Sequence, residues 1–274
     1  MKLQQKLAEL TIARKAILAV NFYNFETLSG IMKAANAMNE PVILQLSEST
    51  INYLGLKMAA GLARKGLEQY RVTGWLHLDH GGSVELVKRC LDEGFDSVMI
   101  DASEKPFDEN VKTTKEVVKI ATQYDANVEA ELGYVAKLGQ QQVTSVFTQP
   151  EEVKVFTELT GVDALAIAIG SAHGFYKSTP VLQIDLLKSI REVTNTALVL
   201  HGGSGIPDIQ IKQAIQSGIS KINLATETKN IFMQTLKEIL AQTDEIDLRK
   251  VFPKAIDAIE TLITYKIKMI NTAL

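Results

Sequence analysis

The stretch Trp75-Leu-His-Leu-Asp79-His80-Gly-Gly-Ser83-Val84-Glu-Leu-Val-Lys-Arg-Cys-Leu-Asp92-Glu-Gly-Phe-Asp-Ser97-Val-Met-Ile-Asp101 decides the fold. Its ends, Trp75–Asp79 and Ser97–Asp101, are short apolar runs. The segment between them, Val84–Asp92, carries apolar residues at helical spacing. Strand, helix and strand in succession make one crossover unit, which implies parallel strands joined right-handed. The alternation extends both ways. Strand-like runs lie at Ala16–Val20 and Pro41–Leu46 upstream, and at Asn127–Leu132, Ala164–Ile169, Ala197–His201 and Lys221–Leu224 downstream. Helical spacing recurs at Glu26–Met38, Asp108–Tyr124 and Asp208–Gln216. Eight such strands favour a closed (β/α)8 barrel over an open sheet. The first strand is followed by Asn21-Phe-Tyr-Asn-Phe25, without the G-x-G-x-x-G of a dinucleotide fold. No linker rich in Pro, Gly or Ser interrupts the pattern. Residues 1–274 therefore read as one barrel domain, with the tail beyond Leu248 as a helical extension packed outside.

Composition narrows the function. The 274 residues are 46% hydrophobic and 22% charged, and the net charge is −3. No run of one sign stands out, so neither nucleic acid nor an anionic membrane surface is expected as a partner. A chain this long buries a core without help, so a bound metal would be catalytic before it is structural. Cys90, the only cysteine, cannot form an internal disulfide and reads as a half-buried helix residue. The start, Met1-Lys2-Leu3-Gln4-Gln5-Lys6, leads into an amphipathic pattern and not into a cleavable apolar core. The longest apolar stretch, near Ala164–Ile169, falls far short of the ~20 residues that span a bilayer. The expected location is the cytoplasm.

Barrel enzymes keep their chemistry at the C-terminal ends of the strands, where the loops converge. Here those ends carry, in order, Asn21, Ser47-Glu48-Ser49, Asp79-His80, Asp101, Glu129 with Glu131, Gly170-Ser-Ala-His173-Gly174, His201-Gly202-Gly203-Ser204-Gly205, and Asn223 followed by Thr226 and Glu227. Three of the four histidines fall at such ends. His80, His173 and His201 are thus expected to share one divalent metal ion. Three neutral imidazoles leave a coordination position open, as in catalytic zinc sites. His77 should point into the barrel in a structural or ligand-orienting role. Asp79, next to a proposed ligand, suits either a general acid/base or a carboxylate that orients a histidine. Asp101 and Glu131 could hold a second cation, hold the metal in a resting position, or hydrogen-bond to the ligand histidines. The turn at Gly202, Gly203, Ser204 and Gly205 follows the seventh strand, where barrels bind phosphate through backbone N–H groups. Lys177 could add a positive charge.

These residues resemble the class II, zinc-dependent ketose-bisphosphate aldolases. The matches are His77-Leu-Asp-His80-Gly, Ser97-Val-Met-Ile-Asp-Ala-Ser103, Val128-Glu-Ala-Glu-Leu-Gly133, Ala168-Ile-Gly-Ser-Ala-His-Gly-Phe-Tyr-Lys177, Leu198-Val-Leu-His-Gly-Gly-Ser-Gly205 and Lys221-Ile-Asn-Leu-Ala-Thr-Glu227. They occur in family order between Ala19 and Lys229. The resemblance implies one catalytic Zn²⁺ on His80, His173 and His201, with Asp79 as the acid/base at the C4 hydroxyl. It places Glu131 and Asp101 near an alternative metal position. It assigns Gly174, Lys177, Gly202, Ser204, Asn223 and Thr226 to the dihydroxyacetone phosphate pocket, and Asn21 and Ser47 to substrate contacts. It further implies a Na⁺ or K⁺ ion near that phosphate, a homodimer or homotetramer, and a role in carbohydrate metabolism such as glycolysis. The implied reaction cleaves fructose- or tagatose-1,6-bisphosphate to dihydroxyacetone phosphate and glyceraldehyde 3-phosphate.

Two departures stand out. Relatives usually carry acids in a loop after the fifth strand, and these are linked to proton exchange on the enediolate. Here Tyr134-Val-Ala-Lys-Leu-Gly-Gln-Gln-Gln-Val-Thr-Ser145 has none, and glutamine cannot shuttle a proton as a carboxylate does. The proton donor is therefore not carried over. On the eighth strand, Ala225 replaces the Asp of many fructose-type members and resembles the tagatose-type branch. Two other readings remain: action on another phosphorylated ketose, and a weakly active sugar-phosphate binder. A metallohydrolase is disfavoured, because Ala19-Val20-Asn21 lacks the His-x-His pair of those barrels.

Overall fold

A computed structural model describes residues 1–133, 135, 147–174, 176 and 178–272. Eight strands alternate with helices. In chain order they are α1 (Leu3–Ala13), β1 (Ile17–Asn21), α2 (Phe25–Met38), β2 (Val42–Ser47), α3 (Glu48–Leu54), α4 (Leu56–Tyr70), β3 (Gly74–Gly81), α5 (Val84–Asp92), β4 (Ser97–Ile100), α6 (Phe107–Ala121), β5 (Asn127–Leu132), α7 (Pro150–Thr160), β6 (Ala164–Ile167), α8 (Ile184–Val193), β7 (Ala197–Leu200), α9 (Asp208–Ser217), β8 (Ile219–Leu224), α10 (Thr226–Leu240) and α11 (Leu248–Asn271). Each strand pairs in parallel with the next, and β8 closes on β1 with Ile17 opposite Lys221 and Val20 opposite Leu224. The expected (β/α)8 barrel is the observed one.

Local chemistry explains several boundaries. Asn24 starts α2 by accepting the Thr27 N–H at 2.9 Å, and Ser83 starts α5 by accepting that of Leu86 at 3.2 Å. Both satisfy backbone donors that the first helical turn leaves free. The pattern over Asp108–Tyr124 predicts one helix, but α6 ends at Ala121 and a 3₁₀ turn covers Thr122–Tyr124. Asp125 then turns left-handed.

The two ends of the barrel differ. At the N-terminal end, Leu3, Leu7 and Leu10 of α1 pack on Ile17, Ala19, Ile43, Trp75, Ala164, Ala166, Ala197 and Val199. The small Ala side chains leave room for the leucines, each of which contributes about 1.5–3 kcal/mol of burial. The indole N–H of Trp75 donates to the Met1 carbonyl at 3.2 Å and ties the plug down. That end is sealed with apolar side chains, and polar groups collect at the other. Outside the barrel, α11 packs against α2 and α10. Gly30 lets α2 and α11 approach closely, since a Cβ there would lie 2.6 Å from Ile259. Cys90 is fully buried rather than half-buried.

Candidate metal centre and active site

The C-terminal mouth gathers the strand-end groups. His80 has φ +51°, a left-handed backbone rare for a side chain of its size. It sits where the β3–β4 register shifts between Leu78 and Gly81. That irregularity allows Asp79 and His80, neighbours in sequence, both to serve the mouth. Gly81 is required beside them, since a Cβ would lie 2.5 Å from the Met99 carbonyl.

The three histidine rings face one another edge to face. Centroids are 4.9 Å apart for His80–His173, 4.8 Å for His80–His201 and 5.7 Å for His173–His201. One donor atom from each of His80, Glu131, His173 and His201 lies within 4.8 Å of the others. Nδ1 of His80 lies 2.7 Å from Oδ2 of Asp101. Asp101 in turn accepts the N–H and O–H of Ser103 through Oδ1. A carboxylate only accepts, so His80 carries a proton on Nδ1 and turns a lone pair on Nε2 to the cluster. On His201 the order is reversed: Nε2 donates to Oε1 of Glu129 at 3.0 Å, leaving Nδ1 for the cluster. Nδ1 lies 3.0 Å from Oε2 of Glu131 with no hydrogen bond between them.

Three buried atoms, His80 Nε2, His201 Nδ1 and Glu131 Oε2, thus lack a hydrogen-bond partner at one place. Orphaned buried polar atoms are costly unless something else satisfies them. Imidazole nitrogens with one carboxylate oxygen fit a tetrahedral divalent cation such as zinc. Asp101 stands behind His80 and is not one of the four converging groups.

Charge follows the same plan. Burial works against a charged His201, but Glu129 and Glu131 outweigh it and raise its pKa to about 10. His80 is raised as well, since Asp79 and Asp101 overcome its burial. Burial would raise Asp79, yet His80, His201 and Lys221 bring it down to about 2. Asp101 and Glu129 are held well below the usual carboxylate range despite burial, Asp101 by His80 and Glu129 by Lys221 and His201. His77 is lowered to about 3, first by burial and then by Lys221, and is neutral.

Asp79 is clamped by three amides. Asn21 Nδ2 donates to Oδ2 at 2.8 Å, while Gln45 Nε2 and Asn223 Nδ2 donate to Oδ1 at 3.0 and 3.3 Å. Its Oδ1 is 3.9 Å from His80 Nε2. Gln45 escaped the sequence reading, although an amide inside the apolar run Val42–Leu46 was a signal. Lys221, on β8, is fully buried in the barrel, 2.7 Å from Glu129.

The glycine-rich turn lies beside this cluster. Gly202 has φ +65°, and a Cβ there would lie 2.3 Å from the Ala172 carbonyl. The Tyr176 hydroxyl accepts the Ala172 N–H at 2.7 Å and donates to the Gly202 carbonyl at 3.0 Å, joining the His173 loop to the turn. Gly203 packs on β8, its N–H bonded to the Asn223 carbonyl at 3.1 Å. Ser204 Oγ accepts the Glu227 N–H at 3.2 Å, and Glu227 accepts the Gly205 N–H at 2.6 Å. Ala225 immediately precedes α10, whose first residue is Thr226. Gly174 has φ +105°. Ser47 ends β2 and caps α3 through the Thr50 N–H at 3.4 Å. Lys177 lies outside the described residues, as does the acid-free segment 134–145 apart from Val135.

Comparison with known proteins bears on this geometry. The family pattern described as class II fructose-bisphosphate aldolase matches residues 1–273. A fructose-bisphosphate aldolase of Geobacillus stearothermophilus is 39% identical over 272 residues, covering 97% of this chain and 95% of that protein. Among solved structures, the YdjI aldolase of Escherichia coli K12 superposes with a TM-score of 0.88 at 32% identity, covering 98% of this chain and 97% of that one. A fructose-bisphosphate aldolase of Campylobacter jejuni gives 0.83 at 23% identity, covering 98% and 94%, a likeness that speaks to the fold alone.

Proposed function

We propose a reaction from one premise: the chain belongs to the class II fructose-bisphosphate aldolase family and is an enzyme of the lyase class. The reading is a zinc-dependent, reversible cleavage of a ketose 1,6-bisphosphate to dihydroxyacetone phosphate and glyceraldehyde 3-phosphate. One observation carries it. The unpartnered atoms His80 Nε2, His201 Nδ1 and Glu131 Oε2 converge beside a carboxylate, Asp79, that three amides hold in place.

Cleavage between C3 and C4 leaves negative charge next to the C2 carbonyl. A divalent metal held by His80, His173 and His201 supplies Lewis-acid stabilisation of that charge. The protein groups do the rest. Asp79 accepts the C4 hydroxyl proton as the C3–C4 bond breaks, and a proton returned to C3 completes dihydroxyacetone phosphate. Asn21, Gln45 and Asn223 keep its carboxylate from rotating, so little reorganisation accompanies the transfer. The turn at Gly202–Gly205 shapes the pocket for the ketose phosphate, and the start of α10 turns its helix dipole toward it. Asn223, Ala225 and Thr226 line that approach, and Ser47 serves the substrate from β2. No Schiff-base lysine takes part.

Ala225 resembles the tagatose-type branch, and the reading takes the substrate as fructose- or tagatose-1,6-bisphosphate. A Na⁺ or K⁺ ion beside the phosphate and a homodimeric or homotetrameric assembly belong to the same reading. The test is a cleavage panel over the C4 epimers of the ketose bisphosphates, with and without added Zn²⁺. Zinc-dependent turnover of one epimer supports the reading. Tight binding of sugar phosphates with no turnover would replace it with a binding protein.

A further inference from the structure

A fully buried ammonium group lies beneath the metal cluster, outside the chemistry described above. Lys221 Nζ donates to Glu129 Oε2 at 2.7 Å and approaches His77 Nε2 at 3.4 Å. His77 meets Ser97 Oγ through Nδ1 at 2.7 Å, and that oxygen also accepts from Asn127 Nδ2 at 2.9 Å. Lys221, Glu129, His77, Ser97, Asn127 and His201 are all fully buried. Each hydrogen-bonding role can therefore be read from its neighbour. Lys221 only donates, so His77 Nε2 is a lone pair and Nδ1 carries the proton. Glu129 only accepts, so it uses Oε2 for Lys221 and Oε1 for the Nε2–H of His201.

We infer that Lys221 is a positioning residue: acting through Glu129, it sets the tautomer of His201 and so presents Nδ1, and not Nε2, as the lone pair available to a metal ion. The relay runs from a fixed cation to a carboxylate to one ring nitrogen, and the other ring nitrogen is the unpartnered atom at the cluster. His80 reaches the same end differently, with Asp101 on Nδ1 and Nε2 facing inward. His80 lies on β3 and His201 follows β7, four strands apart in the closed barrel, and they meet their carboxylates through opposite ring nitrogens. Partners of this kind orient metal ligands generally. What is particular here is that a buried lysine fixes one oxygen of the relay's carboxylate and leaves the other to His201.

The consequence can be tested by reversing one link. In Glu129→Gln the side chain has one oxygen and one NH₂ group. Lys221, a pure donor, claims the oxygen. The NH₂ group then faces His201 Nε2, which must become an acceptor, and the proton moves to Nδ1, the atom that faces the cluster. Zinc affinity should fall by about 10–100-fold, the usual cost of losing such a partner. Adding Lys221→Met removes the competing donor. The amide can then turn its oxygen to His201, and zinc affinity should return most of the way to that of the wild type. A merely structural role predicts the opposite, because a second buried substitution would compound the first.

The inference rests on the metal reading of the cluster, and the arms of the experiment separate the two. Zinc affinity is measured by competition with a chromophoric chelator for wild type, the single variant and the double variant, each first checked for folding by circular dichroism. Long-range ¹H–¹⁵N spectra of zinc-loaded wild type give a variant-free arm, in which His201 should be protonated on Nε2 and coordinated through Nδ1. Failure of the wild type to bind zinc overturns the metal reading together with this one. Zinc bound by the wild type and equally by Glu129→Gln, a double variant no better than the single, or coordination through Nε2 overturns the relay alone.

Discussion

The side-chain amide of Asn21 donates to Oδ2 of Asp79 at 2.8 Å, linking the end of β1 to the end of β3 across the mouth of the barrel. With Gln45 and Asn223 on the other oxygen, Asp79 accepts from three strands besides its own. Each amide oxygen, Asn21 Oδ1, Gln45 Oε1 and Asn223 Oδ1, lacks a partner of its own. Amides in that state can turn to accept as well as donate.

Asp79→Asn should therefore fold, since the neighbouring amides can rotate to receive its NH₂ group. It should lose about 10²–10⁴-fold in kcat, the usual worth of a general acid/base, while keeping zinc. Steady-state kinetics and metal content measured on one preparation check both halves. A variant with near-normal kcat would assign Asp79 to ligand orientation instead.

Removal of metal by a chelator should abolish cleavage, and Zn²⁺ or Co²⁺ should restore it. Borohydride added with substrate should leave activity intact, because no imine forms for it to reduce. Lys221, the fully buried lysine, is bonded to Glu129. Irreversible inactivation with a mass increase on a lysine would sink this prediction.

Metal affinity should rise with pH. In the metal-free protein the pKa of His201 is raised from 6.5 to about 10, as Glu129 and Glu131 overcome its burial. A raised folded-state value stabilises the metal-free fold fully below the ordinary value, and that contribution is lost as pH climbs toward 10. A metal must displace this proton, so zinc binding releases it and tightens with alkalinity. The zinc-induced rise in Tm should be larger at pH 8 than at pH 6, and calorimetry in buffers of different ionisation enthalpy should register proton release. Asp79, lowered to about 2, stays ionised throughout, so an acid limb in the activity profile should follow metal loss.

Gly202→Ala should damage the glycine-rich turn. The φ of +65° costs an L-residue roughly 1–2 kcal/mol, and the added Cβ would meet the Ala172 carbonyl at 2.3 Å. Thermal melting should register the loss of stability. KM for the sugar phosphate should rise by about tenfold or more, equivalent to 1.4 kcal/mol of lost binding. An unchanged KM would move phosphate recognition away from the turn.

Much of this was legible in the sequence. The alternation of short apolar runs with helical spacing determined a (β/α)8 barrel, because parallel strands buried on both faces and amphipathic crossover helices leave unmistakable periods. The positions of His80, His173 and His201 at strand ends placed them on one rim, because every strand in such a barrel ends at the same mouth. Which nitrogen each ring presents was not legible. Nor was Gln45 as a partner of Asp79, or Lys221 beneath the cluster, or which of its several readings Asp101 would take. These depend on the register shift at Leu78–Gly81, on the left-handed turn at His80 and on which residues lie opposite across the barrel. Sequence determines which chemical groups arrive at the mouth, through the local periods of strand and helix. Only the closed tertiary structure decides which of them touch, because hydrogen-bond partners separated by 58 or 92 residues are chosen by the packing of the barrel and not by spacing along the chain.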